Sequence, residues 1–576
     1  MNLRIVRRSS ALPAPLLDQS MHPVLQRVYA ARGVRGVHDL ELSVQQLLPV
    51  GTLGQVEAAA ELLYRHRQRG GLVLIIGDFD ADGATSTALF VRALRSWGFA
   101  AVDFLVPNRF EFGYGLTPEI VALAAARRPA LIVTVDNGIS SNAGVAAARA
   151  AGIDVLITDH HLPAHELPRA NVIVNPNVPG SAFGSRALAG VGVAFYVIVA
   201  LRRVLDAQGL LRPGALLPAD LLDLVALGTV ADVVPFDANN RILVAQGLAR
   251  IRAGRCVPGI TALLEVAGRS QAALVASDLG FAVAPRLNAA GRLTDMSIGI
   301  RCLLSEQLDE ARAAAQELDA LNTQRRQIEA KMQTEALAAI RVLRDPDSGV
   351  RRDGVCLFDS AWHQGVVGLV ASRVKERLRR PVIAFARIDA TTLRGSARSI
   401  AGVHVRDLLD AIAVRDPLLI QKFGGHAMAA GVTLEAARLD QFARAFDAEC
   451  GAALARLGSP DLIETDGELT EAEMALPLAV ALRAGGPWGP GFPEPLFDGV
   501  FRIQSARLVG ERHLKLGLRA PEGRGQFDAI AFNYSDGECQ SVALPSGAAR
   551  LVYRLDSNEY LGERRLQFVI EHLLPA

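Results

Sequence analysis

Lysine is nearly missing from this 576-residue chain: it stands only at Lys331, Lys375, Lys422 and Lys515. Almost all positive charge is arginine, so bound anions must be met by planar, bidentate guanidinium groups. A GC-rich coding sequence is the plain explanation of that bias. Excess charge of either sign is missing too. With 61 basic against 60 acidic residues, the overall balance announces neither a nucleic-acid nor a membrane protein. Long apolar runs are absent. The longest, Ala187–Leu201, is about fifteen residues, short of the roughly 20 that span a bilayer, and reads as a core helix. Met1–Pro23 carries Arg4, Arg7 and Arg8 without a following apolar stretch, so no secretory leader is expected. The five cysteines (Cys256, Cys302, Cys356, Cys450, Cys539) are scattered and odd in number. Their spacing argues against a disulfide framework and a thiolate zinc site. A cytoplasmic protein without membrane contact is expected.

What the chain does have is four acidic or His-rich clusters, each closing an apolar run. They are Asp78-Phe79-Asp80-Ala81-Asp82-Gly83, Asp136-Asn137-Gly138, Asp159-His160-His161 and Ala231-Asp232-Val233-Val234-Pro235. The runs before the first three, Leu72–Gly77, Ala130–Val135 and Asp154–Thr158, are short, β-branched and apolar on both faces, as buried parallel strands are. Ligands of open α/β sheets bind beyond the carboxyl ends of the strands. Three strands would thus deliver carboxylates and imidazoles to one rim. Oxygen-rich sets select Mg²⁺ or Mn²⁺, and an added imidazole tilts the choice toward Mn²⁺. Two such ions sharing a bridging carboxylate activate water and clamp an attacked phosphoryl oxygen. A single Asp-x-Asp more often just caps the next helix. The agreement of four clusters makes the metal reading.

The length predicts several domains. Residues 1–50 read as an N-terminal arm with short helical pieces. Residues 51–302 alternate strand and helix patterns, the signature of a parallel sheet with right-handed crossovers. Residues 303–345 contain an uninterrupted helical pattern from Leu303 to Leu343, about 60 Å at 1.5 Å per residue, read as a connector. Residues 346–458 hold a second α/β unit. Residues 459–576 end in short alternating strands, read as a small β-barrel. Phe501, Phe527, Phe532 and Tyr553 are its possible base-stacking faces, though most are expected in its core. No long exposed heptad seam is present, which favours a monomer.

Phosphate needs donors as well as metal. Asn108 and Arg109 follow a strand beside Gly113-Tyr114-Gly115. Ala284–Arg292 reads as a polar turn carrying Arg286, Asn288 and Arg292. Ser372 and Arg373 lie on a helix opened by Trp362–Gly368. Gly395–Ser399, with Arg398, and Gly424–Gly431, with Gly425 and His426, read as small-residue loops where a backbone can approach phosphate closely. Each arginine alone is more often a surface charge, and His426 alone could be a satisfied core histidine.

Asp78–Gly83, Asn108-Arg109, Asp136–Gly138 and Asp159-His160-His161 resemble the ordered motifs of the DHH phosphoesterase superfamily. Gly424–Gly431 resembles the signature of its associated second, DHHA1-type domain. Thr229–Pro235, Ala284–Arg292, Trp362–Gly368 and the C-terminal β segment are similar to its bacterial single-strand-specific DNA exonucleases. The likeness covers the chain from about Leu72 onward. Gln364 departs from it, where proline is expected. The resemblance implies a DHH catalytic domain, a connecting helix, a DHHA1-type domain and an OB-fold. It also implies Mn²⁺- or Mg²⁺-dependent 5′→3′ degradation of single-stranded DNA to 5′-mononucleotides, in repair and recombination, beside a helicase and a single-strand-binding protein. The implied metal ligands, for two ions, are Asp80, Asp82, Asp136, His160 and Asp232, with Asp82 or Asp136 bridging. Asp78 is a ligand or an acceptor behind the ligands, and Asp159 orients His160. His161 contacts the scissile phosphate or assists proton transfer, and Arg109 offsets charge developing on phosphoryl oxygens.

The sequence leaves two other readings open. The same site could act on short oligonucleotides, cyclic dinucleotides or pyrophosphate, although a small substrate needs no barrel. The chain could also be a catalytically dead scaffold for DNA, although all the expected acidic and His positions are present.

Overall fold

A computed structural model describes residues 4–9, 20–108, 112, 115–164, 166–343, 352–457, 462–510, 512–520, 523, 525–534, 544–560 and 563–575. Five parallel strands form the first sheet, in the order Ala101–Leu105, Leu72–Gly77, Leu131–Val135, Asp154–Thr158 and Val172–Val174. The central strands are buried almost throughout, as apolar β-branched runs must be when helices cover both faces. Helices Val56–Arg69, Ala81–Ser96 and Gly190–Ala207 bury one face. Helices Pro118–Ala125 and Asn142–Ala150 bury the other. From Leu72–Gly77 the chain crosses first to one neighbour and later returns to the other side. The crevice beyond that reversal, between Leu72–Gly77 and Leu131–Val135, is where such sheets bind ligands.

The helix expected from Leu303 begins later. Ser297–Leu304 is a separate helix, closed where the backbone N–H and hydroxyl of Ser305 both donate to the Arg301 carbonyl at 2.9 Å. Leu308–Leu343 then runs 36 residues, about 54 Å at 1.5 Å per residue. Ala311, Ala315 and Leu318 are buried in the core of the first unit, whereas Met332, Ala336 and Ile340 are buried under the second unit. One helix thus belongs to two cores, which makes it a connector.

The second sheet runs Lys422–Gly425, Ala429–Glu435, Thr392–Arg398, Val382–Arg387, Val355–Phe358, with only the last pair parallel. Leu393–Ser399, whose pattern also reads as a strand, falls on the strand Thr392–Arg398, whereas the loop expected at Gly424–Gly431 is largely strand. Gly424–Gly431 spans a hairpin, and Gly395–Arg398 lies within a strand. The small residue at 395 answers a packing need, since a Cβ there would sit 2.5 Å from the Phe385 ring. At the C-terminus, Phe497–Val509, His513–Arg519, Gln526–Ala531, Gly547–Tyr560 and Glu563–Pro575 close into a barrel. Phe501 and Tyr553 fill its core and Phe527 is half-buried. Only Phe532 is well exposed among the four aromatics, at 54%. The N-terminal arm holds helix Pro23–Ala30 and also an unexpected strand, Arg4–Arg7, parallel to Leu462–Thr465. Among the described residues no helix is long and apolar enough to cross a membrane.

Candidate metal centre

Each acidic cluster is placed by local backbone chemistry. The Asp80 side chain caps helix Ala81–Ser96, accepting from the N–H groups of Asp82 and Gly83 at 3.0 and 3.1 Å. Asp82 therefore sits inside the first helical turn. Its two carboxylate oxygens accept from the N–H groups of Gly190 and Val191, at 2.6 and 2.9 Å. Those amides open helix Gly190–Ala207, whose positive end favours an anion. A Cβ on Gly190 would lie 2.6 Å from Cβ of Asp136, so this approach requires glycine. Asp136 itself holds a left-handed backbone, φ 61°, a conformation tolerated by aspartate better than by most residues and associated with functional sites. Asp232 follows helix Leu222–Ala231 rather than a strand.

Asp159 accepts from the N–H groups of Ile139, His160 and His161 at 2.9, 2.7 and 3.1 Å. Its carboxylate also lies 2.7 Å from Nδ1 of His161. The expectation that Asp159 orients the His160 ring is corrected: it orients His161, because the strand-end turn brings that ring back over the carboxylate. Asn175 and Asn177, which the sequence reading missed, donate to the carbonyls of His161 and His160 at 2.9 and 2.6 Å. Their signal was the polar Asn-Pro-Asn stretch closing the last strand.

Three groups converge with ligand atoms within 4.8 Å of one another: Asp136–His160–His161, Asp82–His160–Asp232 and Asp78–Asp80–Asp136. Asp136 and His160 each belong to two of them. Nε2 of His160 is 3.1 Å from Oδ1 of Asp136 and 3.4 Å from Oδ2 of Asp232. Nevertheless Nε2 of His160 and Oδ2 of Asp232 are buried without a hydrogen bond, a costly state unless a cation completes them. Burial and Asp232 push the Asp82 carboxyl up, burial and Asp82 push Asp136 well up, and burial and Asp80 push Asp232 up. Burial and His161 lower His160. A buried set of carboxylates that resist ionisation together, beside a neutral imidazole, fits divalent cations of the Mg²⁺/Mn²⁺ class.

His161 differs from its neighbour. Burial opposes its charge, but Asp159 overrides this and raises it to about 9. Burial likewise opposes the Asp159 charge, and His161 overrides it to hold that carboxyl down at about 2. The outer face of the His161 ring stacks on His426 of the second unit, 5.1 Å between centroids at 26°. Burial and His161 keep His426 near 4, hence neutral. The hairpin holding His426 needs glycine at Gly425, where φ is 142° and a Cβ would lie 2.4 Å from the Ala429 carbonyl oxygen.

The remaining expected residues divide. Arg109 lies outside the described residues. The Asn108 carbonyl accepts from the Phe112 N–H at 3.0 Å. Ala284–Leu293 is a helix, not the polar turn expected, because its residues pack onto the loop Asp78–Asp82. Asn288 Oδ1 accepts from the Ala81 N–H at 2.8 Å, and a Cβ on Gly291 would lie 1.8 Å from the Phe79 carbonyl oxygen. Asn288 thus holds the loop carrying Asp80. Arg286 is turned inward, donating to the carbonyls of Ala282 and Val266 and pairing with Asp319 at 2.8 Å. It braces the long helix rather than facing a groove. Arg292 donates to the Gly365 carbonyl at 3.3 Å, across to the second unit. Ser372 donates back to the Gly368 carbonyl at 3.0 Å, and Arg373 pairs with Glu329 and Glu376, both at 3.3 Å. Arg398 donates to the Ser396 hydroxyl at 2.9 Å, beside the first turn of helix Val367–Leu378, where a Cβ on Gly368 would lie 2.8 Å from its guanidinium.

Comparison with known proteins matches the same three domains. The profile of the DHH family N-terminal domain matches residues 72–229, the DHHA1 domain 353–452 and the RecJ OB domain 465–572. The single-stranded-DNA-specific exonuclease RecJ of Escherichia coli is 52% identical over 99% of this chain and 98% of its own. Two crystal structures of RecJ from Thermus thermophilus superpose on 96% of the chain. The complex with Mn²⁺ gives TM-score 0.77 at 31% identity, over 76% of that chain. The complex with Mg²⁺ gives 0.73 at 28%, over 75%.

Proposed function

The chain belongs to the RecJ family of single-stranded-DNA-specific exonucleases, and we propose that its acidic rim hydrolyses strands from the 5′ end to 5′-mononucleotides. It is a metal-dependent exonuclease using Mn²⁺ or Mg²⁺. The observation that carries the site is Nε2 of His160, flanked at 3.1 and 3.4 Å by Asp136 and Asp232 and buried without a hydrogen bond. Asp80, Asp82, Asp136, His160 and Asp232 would hold two ions, with Asp78 close behind. Asp136 would serve as the shared ligand more readily than Asp82, because it belongs to two of the three ligand groups, whereas both Asp82 oxygens already accept helix amides. When bound, the ions supply Lewis acidity and a water acidified enough to attack phosphorus.

The protein residues do the rest. The Gly190 and Val191 amides fix the Asp82 carboxylate. Asp159 favours the charged form of His161, whose carbonyl Asn175 holds, so His161 can donate a proton or a charge-assisted hydrogen bond to a phosphoryl oxygen. Arg109 would offset charge on the same oxygens. Arg398, Ser396 and the first turn of helix Val367–Leu378 form a donor group suited to a terminal phosphate across the cleft, and His426 narrows that cleft over His161. We assign the enzyme to repair and recombination in the cytoplasm, as a monomer beside a helicase and a single-strand-binding protein.

One oligonucleotide labelled separately at each end, single-stranded or blunt duplex, with Mn²⁺, Mg²⁺ or EDTA, tests this. Immediate mononucleotide release from the 5′ label only, on single strands only and lost in EDTA, is expected. Release from the 3′ label or equal cutting of duplex would overturn the polarity or the strand preference.

A further inference from the structure

Two residues of the metal cluster are held by helices rather than by strand ends. Asp82 is gripped by the amides that open helix Gly190–Ala207, and Asp232 follows helix Leu222–Ala231. With His160 they form one of the three ligand groups. Their near side is set by close packing. A Cβ on Gly228 would lie 2.8 Å from Oδ1 of Asp82, and the Asp232 N–H donates to the Gly228 carbonyl at 2.9 Å. Their far side is irregular chain. Ala187 stands before the first helix and Pro235 after the second, each three residues from the group it serves, Gly190 or Asp232. Between Asp232 and Pro235, Val233 has φ 63°. A β-branched residue is strained there and keeps that backbone only where its surroundings fix it.

Asn240 fixes both irregular segments at once. It is fully buried, in the first turn of helix Ala238–Arg252. Its Nδ2 donates to the Ala187 carbonyl at 2.6 Å and to the Pro235 carbonyl at 2.9 Å. The amide cannot be turned round, because its oxygen would then face two carbonyl oxygens. That oxygen is buried without a hydrogen bond, an unfavourable state, so the residue is explained by its two donors. Ala187 is also held at its N–H, which donates to the Ser185 hydroxyl at 3.2 Å. That hydroxyl donates to Asp237 at 2.5 Å, and Asp237 accepts the Asn240 N–H at 2.9 Å. The same device recurs on the strand side. Asn137 donates through Nδ2 to the carbonyls of Ile76 and Val135 at 3.1 and 2.9 Å, tying together the strands that lead to Asp78 and Asp136. The neighbouring Asn239, also buried, instead accepts from the Leu48 N–H at 3.0 Å and the Tyr196 hydroxyl at 2.9 Å.

We propose that Asn240 is a positioning residue for one of the two ions: by clamping the carbonyls of Ala187 and Pro235 it sets the spacing of the Asp82 and Asp232 carboxylates. It touches neither ion nor substrate. Like charge drives those two carboxylates apart until a cation lies between them, so the segments that carry them need a tie of their own. The inference rests on the two-ion exonuclease reading and deepens it. The ion held by Asp82, His160 and Asp232 depends on this one amide, whereas the strand-borne ligands Asp78, Asp80 and Asp136 do not.

Titration of the metal-free full chain with Mn²⁺, followed by the electron paramagnetic resonance of unbound Mn²⁺, tests this without recourse to turnover. The wild type should take up two ions. Asn240→Ala should weaken one of them by about tenfold, the lower end for residues behind metal ligands, and leave the other within about twofold. Asn239→Ala, which removes an equally buried amide, should leave both affinities unchanged. Hydrolysis of single strands should follow the same split: Asn240→Ala is slow at a Mn²⁺ level that saturates the wild type, and a roughly tenfold higher level restores its kcat by mass action. Should circular dichroism show that Asn240→Ala does not fold, Asn240→Ser, which keeps a single hydroxyl donor, is read in the same way. Equal weakening of both ions, the same weakening in Asn239→Ala, or two wild-type affinities in a folded Asn240 variant would each overturn the assignment. A wild type that takes up fewer than two ions would overturn the two-ion reading along with it.

Discussion

Two groups of buried carboxylates in this chain are solved in opposite ways. At the rim of the first sheet, Asp82 and Asp136 are buried, with Asp232 close by, and the strongest charge acting on each of the three is another carboxylate. At the junction of the two chain ends, Asp466 and Asp498 are equally buried, but arginine surrounds them. Arg32 donates to both oxygens of Asp466 at 2.7 and 3.0 Å. Arg7 at 2.9 Å, Arg550 at 3.0 Å and the Thr465 hydroxyl at 2.7 Å meet Asp498. Burial opposes the Asp498 charge, yet Arg7 overrides it and holds the carboxyl below its usual range. The same residue type, equally buried, is thus neutralised by arginine where the chain supplies the cation and crowded by its own kind where the chain supplies none.

The sharpest way to break that contrast is to remove one carboxylate at the rim. Asp136→Asn should cost more than the 10–100-fold typical of residues behind metal ligands, since it removes a candidate bridging ligand. The metal-free variant should melt no lower than wild type, because a neutral amide replaces a buried carboxyl crowded by others. Nuclease assays and calorimetry in EDTA check both halves. Near-normal turnover in the folded variant would remove Asp136 from the site.

The reverse is expected at the chain ends. Arg32→Ala leaves Asp466 buried with the Leu496 N–H at 2.9 Å and, as its remaining cation, the longer Arg8 contact at 3.4 Å. That costs about 3 kcal/mol of folding stability, the lower end for breaking a buried pair. Urea unfolding measures it, and Asp466→Asn in the same background should recover part of the loss. A loss under about 1 kcal/mol, the range of exposed pairs, would mean that water reaches Asp466 and that the pairing is incidental.

The two groups were not equally legible in the sequence. Three rim clusters could be read because each ends a strand that is apolar on both faces, so recognising the strand also located the carboxylates. The junction could not be read. Arg4–Arg7 has no strand pattern of its own, and its partner Leu462–Thr465 lies more than 450 residues away, so only tertiary pairing defines it. Helix Ala284–Leu293 was hidden for a related reason: Pro285, Asn288 and Gly291 are turn formers locally, but Pro285 sits in the first turn, where proline is tolerated, and the other two are shaped to the metal loop. Likewise Asp159 could be foreseen as an orienting carboxylate, but not which of two adjacent histidines it would hold, because that depends on the turn.

pH should separate the groups without mutation. Asp82 and Asp232 are both pushed up to about 8 by burial, with Asp232 and Asp80 respectively adding to the shift. A carboxyl raised on folding stabilises fully below its unfolded value, about 3.9, and loses that contribution as pH rises through the folded value. In EDTA the melting temperature should therefore fall between about pH 4 and pH 8. The raised His161, whose contribution fades toward pH 9, works in the same direction. Mn²⁺ should offset part of the fall, because binding only the folded state adds about 2.7 kcal/mol at a hundredfold excess over Kd. Asp498 has the opposite sign: depressed on folding, it stabilises above the usual carboxylate range and is lost as pH falls through its folded value. A metal-free protein whose stability rises from about pH 5 to 8 would contradict the rim assignment.

The smallest expected effect tests whether the junction is a set of matched pairs or only a crowd of charge. Glu468 lies 2.6 Å from Arg7 and 3.6 Å from Arg550, the two arginines that meet Asp498, but is half exposed. If Asp498 is what those arginines serve, Glu468 is a solvated neighbour. Glu468→Gln should then change stability by roughly 0–1 kcal/mol, and less at high salt, as exposed pairs do. It should also leave the acid-side loss of stability where it was, because Arg7, Arg550 and Thr465 still hold Asp498. A cost comparable to Arg32→Ala, or a shift of the acid transition to higher pH, would mean that the exposed carboxylate organises the arginines.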